Sequence, residues 1–251
     1  STKERAKAAG MLGKMKEPRA TERLIELLKD SDAEVRLNAA SALGNIGNPI
    51  AVEPLTALLD DKDILVARYA IFSLTKIGDR RAVEPLMKKL SAGSPRIKCD
   101  ILDALKTFSA PESASAIAEL LKDERRSVRY TALHSLPTLL VTDPVKREEL
   151  AQSLITATTD EYFQIRGDAA TILVEFSDTP GVTDAITKLL KDANSYVRLY
   201  AVLAIGEIKP AGAVGILTPL REDPDEEVRD ATKKIILELE GDSDEINIII
   251  E

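Results

Sequence analysis

The sequence predicts an all-α fold, a right-handed α-solenoid (superhelix) of about eight helix pairs. Three observations predict it: a repeat of about 31 residues, apolar positions at helical spacing within each copy, and a composition suited to closely packed helices. An aliphatic residue followed by a basic one recurs as Val35-Arg36, Ile97-Lys98, Val128-Arg129, Ile165-Arg166, Val197-Arg198 and Val228-Arg229, and Val66-Ala67 fills the missing slot. The anchors at 35, 66, 97, 128, 165, 197 and 228 are separated by steps of 31, 31, 31, 37, 32 and 31. One step back from Arg36 falls on Arg5, so the chain opens inside a further copy whose second helix is expected over 3–16.

Each anchor starts a helical face. Four residues later stand Ala39, Ala70, Ile101, Ala132, Ala169, Ala201 and Thr232. Eight residues later stand Leu43, Leu74, Leu105, Leu136, Leu173, Ile205 and Ile236. This spacing lines one side of an α-helix, the B helix of each pair. Gly47-Asn48-Pro49, Gly78-Asp79 and Ser109-Ala110-Pro111 read as stops and turns. The apolar stretches from Ala51 to Leu59 and from Ala82 to Leu90 follow as A helices, with Pro54 and Pro85 near their starts, where a missing N–H costs little. Ser31 with Glu34, and Asp223-Pro224-Asp225-Glu226, read as N-terminal caps of the following B helices.

Composition narrows the function. The 251 residues hold no Trp, five Tyr and four Phe, and 44% are hydrophobic, which suits Ala- and Leu-rich helix packing. A net charge of −8 argues against general nucleic-acid binding, which needs Lys and Arg to neutralise phosphates. Cys99 is the single cysteine, and no apolar run is long enough for a signal peptide or a membrane span; the expected location is cytoplasmic, with no membrane contact. His134 is the single histidine, which excludes a multi-histidine metal site, and a Cys99–His134 nucleophile is weaker than the reading of both as ordinary packing residues. No Gly-rich phosphate loop, nucleophile elbow or zinc spacing is present, so neither a catalytic centre nor a cofactor is expected.

Four irregularities stand out in a chain expected to form one repeat domain over 1–251. The 37-residue step places extra residues at Leu140–Lys146, read as an insertion that alters curvature rather than a functional loop. Pro137 is expected to kink or shorten its B helix. The opening copy has no A helix before it, a surface suited to end-to-end association, and the tail over 241–251 carries the β-prone run Ile246-Asn247-Ile248-Ile249-Ile250.

Asp32 to Gly47 carry the motif Asp-x-x-Val-Arg-x-x-Ala-x-x-Ala-Leu-Gly-x-Ile-Gly. This resembles the HEAT-like repeats of the phycobilisome-lyase type, and the similarity runs over residues 3–240. The resemblance implies a structural ladder between neighbouring copies, pairing Asp32 with Arg36, Asp225 with Arg229 and, more weakly, Asn194 with Arg198, and including Arg129 and Arg166. It implies an interruption at Ala67 and at Ser94-Lys98. It also implies that B helices line the concave side, which puts Arg68, Tyr69, Phe72, Lys76, Tyr130, His134, Leu199, Tyr200 and Leu203 on a groove. Basic residues mark the N-terminal part of this face (Lys7, Lys14, Arg68, Lys76) and acidic ones the C-terminal part (Asp168, Glu175, Glu207, Glu238). Such a groove suits a protein partner, held as an extended peptide or a helix. The expected function is a protein-binding scaffold or adaptor without catalysis. The alternative that the family raises is a subunit of a phycobilin lyase-type enzyme acting on a tetrapyrrole-carrying protein. HEAT-like hydroxylases hold iron with paired His-Glu motifs, and this sequence has no His-Glu dipeptide.

Overall fold

A computed structural model describes residues 1–139 and 142–241. Its helices are α1 (Thr2–Met15), α2 (Thr21–Leu27), α3 (Ala33–Ile46), α4 (Val52–Thr56), α5 (Ile64–Ile77), α6 (Val83–Leu90), α7 (Pro95–Phe108), α8 (Ala114–Glu119), α9 (Arg126–Ser135), α10 (Pro144–Ala157), α11 (Phe163–Leu173), α12 (Val182–Leu189), α13 (Ser195–Ile208), α14 (Ala213–Leu217) and α15 (Glu226–Glu240). The even-numbered members up to α14 are A helices and the odd-numbered ones B helices. No strand occurs among the described residues. The fold is an all-α solenoid.

The anchors Val35, Val66, Ile97, Val128, Ile165, Val197 and Val228 are all buried, as are Leu43, Leu74, Leu105, Leu136, Leu173, Ile205 and Ile236 eight residues on. In α3, α5, α7, α11, α13 and α15 this side of the B helix meets an A helix and a neighbouring B helix, so no pair hides its apolar side alone. Gly47 and Gly78 end α3 and α5 in the left-handed conformation, at φ 76° and 74°. The A helices are entered through 3-10 turns such as Pro18–Ala20, Pro49–Ala51 and Arg80–Ala82. At these turns the side chains of Glu17, Asn48 and Asp79 each accept the N–H two residues ahead. That local bond favours a tight turn over immediate helix and sets the corner between one copy and the next.

The described residues pack as two compact units, 1–117 with 134–139 and 118–133 with 142–241. In the first, the B helices α1, α3, α5 and α7 stack in sequence; in the second, α11, α13 and α15 do so. Small residues set the spacing. A Cβ on Gly13 would lie 2.5 Å from Ala42 Cα, and one on Gly44 2.8 Å from Ser73 Cα.

The insertion resolves differently from the loop read in the sequence. Asp143 caps α10 through the N–H of Lys146, and Pro144 opens a helix of 14 residues where the other A helices have five to eight. From Pro144 onward the added length is thus spent on helix, because a cap followed by a first-position proline is a strong start. Pro137 acts as expected: α9 stops at Ser135 and a 3-10 turn, Leu136–Thr138, follows. Leu140, Val141 and the apolar run 246–250 lie outside the described residues.

Candidate functional site

The repeat's charges form a forked ladder. Arg5 pairs with Asp30, Arg36 with Asp61, Arg129 with Asp160, Arg166 with Asp192 and Arg198 with Asp223. In each, Nε and Nη2 donate to the two carboxylate oxygens of an aspartate in the following copy, at 2.6–3.1 Å. The aspartate lies five residues before its own anchor, and all five also accept the N–H of the residue two further on. From Arg36 on, these arginines also donate through Nη1 to carbonyls of their own linker, as Arg36 does to Asp30 and Ser31. The ladder is structural.

The pairing inferred from the family motif is corrected here. Asp32, Asp225 and Asn194 stand three residues before their anchors and turn into their own helices. Asp32 accepts from Glu34 and Val35, Asp225 from Glu227 and Val228, and Asn194 from Tyr196. The orphan N–H groups of a first turn capture the nearest side-chain oxygen, and so these residues cap rather than pair. Asp32, not Ser31, caps α3; Asp225, not Asp223, caps α15. Arg229 donates to the carbonyls of Asp223 and Pro224. The interruption at Ala67 is real but bridged: Arg68 Nε donates to Asp100 Oδ2 at 2.6 Å, a single-pronged rung shifted along the helix.

Arg68 therefore carries a structural bond as well as facing the B-helix surface. Around it, α5 presents Leu65, Tyr69 and Phe72 at spacings of four and three, all exposed, with Tyr69 at 37% and Phe72 at 46%. The two rings meet edge to face at 6.2 Å, and the Arg68 guanidinium lies 5.6 Å from the Phe72 ring centre. Lys76, exposed, donates to Asn45 Oδ1 of α3 at 2.6 Å.

In the second unit Tyr130 is exposed at 42% and Leu203 at 44%, while Leu199 and Tyr200 are half-buried. Tyr200 is packed against Tyr196, ring centres 4.4 Å apart, and Tyr196 meets Phe163 edge to face at 5.7 Å. The Tyr196 hydroxyl donates to Asp168 Oδ1 at 2.6 Å. Burial first, and then the Asp168 carboxylate, push the Tyr196 phenol well above its ordinary range, so it stays protonated. Gly167 makes room for this ring: a Cβ there would lie 2.6 Å from Tyr196 Cε1. His134 is half-buried near the end of α9.

A cleft of about 340 Å³ opens beside Tyr130, lined by Arg126, Ser127, Tyr130, Thr131, Tyr162 and Gln164. The Arg126 guanidinium stacks over the Tyr162 ring at 4.1 Å. Of this group only Tyr130 is among the binding residues expected from the sequence; Arg126 and Tyr162 are additions from the structure. The available signal was Tyr162 itself, an aromatic at the capping position that Asp32, Asp63, Asn194 and Asp225 hold elsewhere. Among the described residues no group of three or more His, Cys, Asp or Glu is placed to hold a metal, and no helix is long and apolar enough to cross a membrane.

Stacked helix pairs joined by an arginine–aspartate ladder define a helical-repeat protein. The chain belongs to the HEAT-repeat family, whose model matches residues 1–66, 52–137 and 150–235. Two solved structures, at TM-scores of 0.60 and 0.61, share the fold. An engineered protein matches over 100% of this chain and 78% of its own, at 21% identity and a TM-score of 0.61. YibA of Escherichia coli matches over 91% of this chain and 90% of its own, at 17% identity and a TM-score of 0.60. The complex of CpcE and CpcF of phycocyanin lyase from Nostoc sp. PCC7120 matches over 94% of this chain and 88% of that chain, at 23% identity and a TM-score of 0.48. No curated protein matches the sequence.

Proposed function

We propose that the chain is a scaffold or adaptor that binds other proteins through the exposed faces of its B helices, without a reaction of its own. The observation that carries this reading is the stripe of Leu65, Tyr69 and Phe72 on α5. Three large apolar side chains on one solvated helix face contribute little to the core, and aromatic residues beside arginine are the usual anchors of a protein interface. Lys76 borders the stripe. Tyr130 on α9 and Leu199, Tyr200 and Leu203 on α13, in the second unit, and His134 on α9, in the first, belong to the same reading. A cytoplasmic setting accords with a sequence holding one cysteine.

The test is a pull-down with three baits: the parent chain, a Tyr69→Ser/Phe72→Ser variant, and a control altered on an A helix (Glu84→Ser/Lys88→Ser on α6). A protein held by the parent and the control but lost by the α5 variant, with all three folded, supports the reading. Equal retention by all three sinks it.

A further inference from the structure

The geometry points to a second site, on the cleft between the first turns of α9 and α11: it takes the carboxylate side chain of an Asp or Glu in an extended segment of a partner protein. The α11 N-terminus has a vacancy that α3, α5, α13 and α15 lack. In α3, α5 and α15 an aspartate accepts two first-turn N–H groups, and in α13 an asparagine accepts one. Tyr162 stands at that place in α11 and has no oxygen within reach of its own first turn, so no side chain accepts from it. α7 also starts without such an acceptor, but there Pro95 occupies the first position and removes a donor.

The cleft beside this vacancy is equipped for an acid. Arg126 reaches in from α9, its planar fork stacked on Tyr162, and has no carboxylate partner among the described residues. Arg125 stands next to it, at the position where other copies carry an acid or amide. Glu161, beside Tyr162, is engaged by Arg129 at 3.0 Å. A stacked guanidinium held in a fixed plane suits a carboxylate. The second half of the recognition is Gln164, whose Oε1 is buried and has no hydrogen-bond partner among the described residues. It lines the same cleft and calls for a donor. An acidic residue in an extended peptide supplies both groups: a carboxylate for Arg126 and the α11 N–H groups, and a backbone N–H for Gln164. The incoming side chain thus acts as the missing cap. This site lies in the second unit and does not depend on the α5 stripe.

The experiment titrates the full chain with N-acetyl-aspartate N-methylamide, following the backbone amide resonances of Phe163, Gln164 and Ile165. N-acetyl-asparagine N-methylamide and inorganic phosphate are the comparison probes. Saturable shifts with the aspartate probe, and none with the asparagine probe, are expected. Arg126→Gln should weaken binding about tenfold. Tyr162→Asp should abolish it while raising the melting temperature, because the new carboxylate fills the vacancy from within. The proposal is overturned if the aspartate probe gives no saturable shift, if both amino-acid probes act alike, if phosphate binds more tightly than the aspartate probe, or if both variants bind as the parent does. Retention of a partner through Tyr69 and Phe72 is read separately in the pull-down, so failure here leaves that reading standing.

Discussion

Arg36 donates Nε and Nη2 to the two carboxylate oxygens of Asp61, one copy further along the chain, at 2.7 and 2.8 Å. Both side chains are only 7% exposed, and the remaining Nη1 is occupied by the carbonyls of Asp30 and Ser31. Removing one partner leaves the other charge buried and unmatched. Arg36→Ala should cost about 3–5 kcal/mol in urea unfolding. Arg36→Met combined with Asp61→Leu should recover most of that loss, since a desolvated pair gives little net stability over apolar packing. A loss under about 1 kcal/mol for the single variant would show that the rung is screened by water.

Acid should undo the ladder at a definable pH. The Arg166 guanidinium holds Asp192, and that of Arg198 holds Asp223, below the usual carboxylate range. Burial works against this at Asp61, but the Arg36 bond and the Asp63 N–H outweigh it, so Asp61 is also lowered. Carboxyls with depressed folded values contribute their full stability above the unfolded value of about 3.9 and lose it as pH falls through the folded values. The melting temperature should therefore stay flat from pH 7 to about 5 and drop steeply below about 4. Asp192→Asn should lower the neutral plateau and make the acid slope shallower; an unchanged slope would argue that the ladder does not govern acid unfolding.

Close helix contact predicts an unusual sign for a helix-favouring change. Gly44 lies inside α3, where alanine is the better helix former. A Cβ there would sit 2.6–2.8 Å from Ser73 Oγ, Cβ and Cα, and the last cannot swing aside. Gly44→Ala should destabilise by about 1–3 kcal/mol through overpacking. Any gain in stability would mean that α3 and α5 can move apart freely.

The opposite holds at three helix ends. Lys16, Ser109 and Lys209 terminate α1, α7 and α13 at φ 50°, 46° and 51°, in the place that Gly47, Gly78 and Gly241 take after α3, α5 and α15. A side chain there costs about 1–2 kcal/mol, and glycine restores roughly 0.4–1 kcal/mol of unfolded-state freedom. Lys209→Gly should stabilise by about 0.5–1 kcal/mol, read as a rise in melting temperature.

The helices were legible because burial imposes a spacing of apolar positions within each copy, which recurs from Val35 to Ile236 despite the one long step between copies. The ladder was only half legible. Its arginines follow the anchors visibly, but two acid or amide residues, five and three back, precede each of Val35, Val66, Val197 and Val228, and spacing alone does not say which turns inward to cap and which reaches back. The longer α10 was hidden because Leu140–Lys146 looks like a turn until Asp143 and Pro144 are taken as the start of a helix. The cleft was harder still: Arg126 and Tyr162 are 36 residues apart in the sequence and meet only because their two copies stack. Tyr200, assigned to an open groove, is half-covered because Tyr196, one turn earlier, already fills the space beside it.

The shifted rung at Arg68 has a mechanical meaning. The seams from α1 to α3 and from α3 to α5 are each clamped by a two-pronged arginine–aspartate bond, whereas the ladder's rung from α5 to α7 is the single-pronged bond of Arg68 to Asp100. Within the first unit that seam is the compliant element of a spring. Under tension applied through the chain ends, it should yield at a lower force than the two seams before it, and an Ala67→Arg/Ala92→Asp variant should stiffen it. Optical-trap extension traces of the two chains would differ in the first rip of that unit and in none of the later ones.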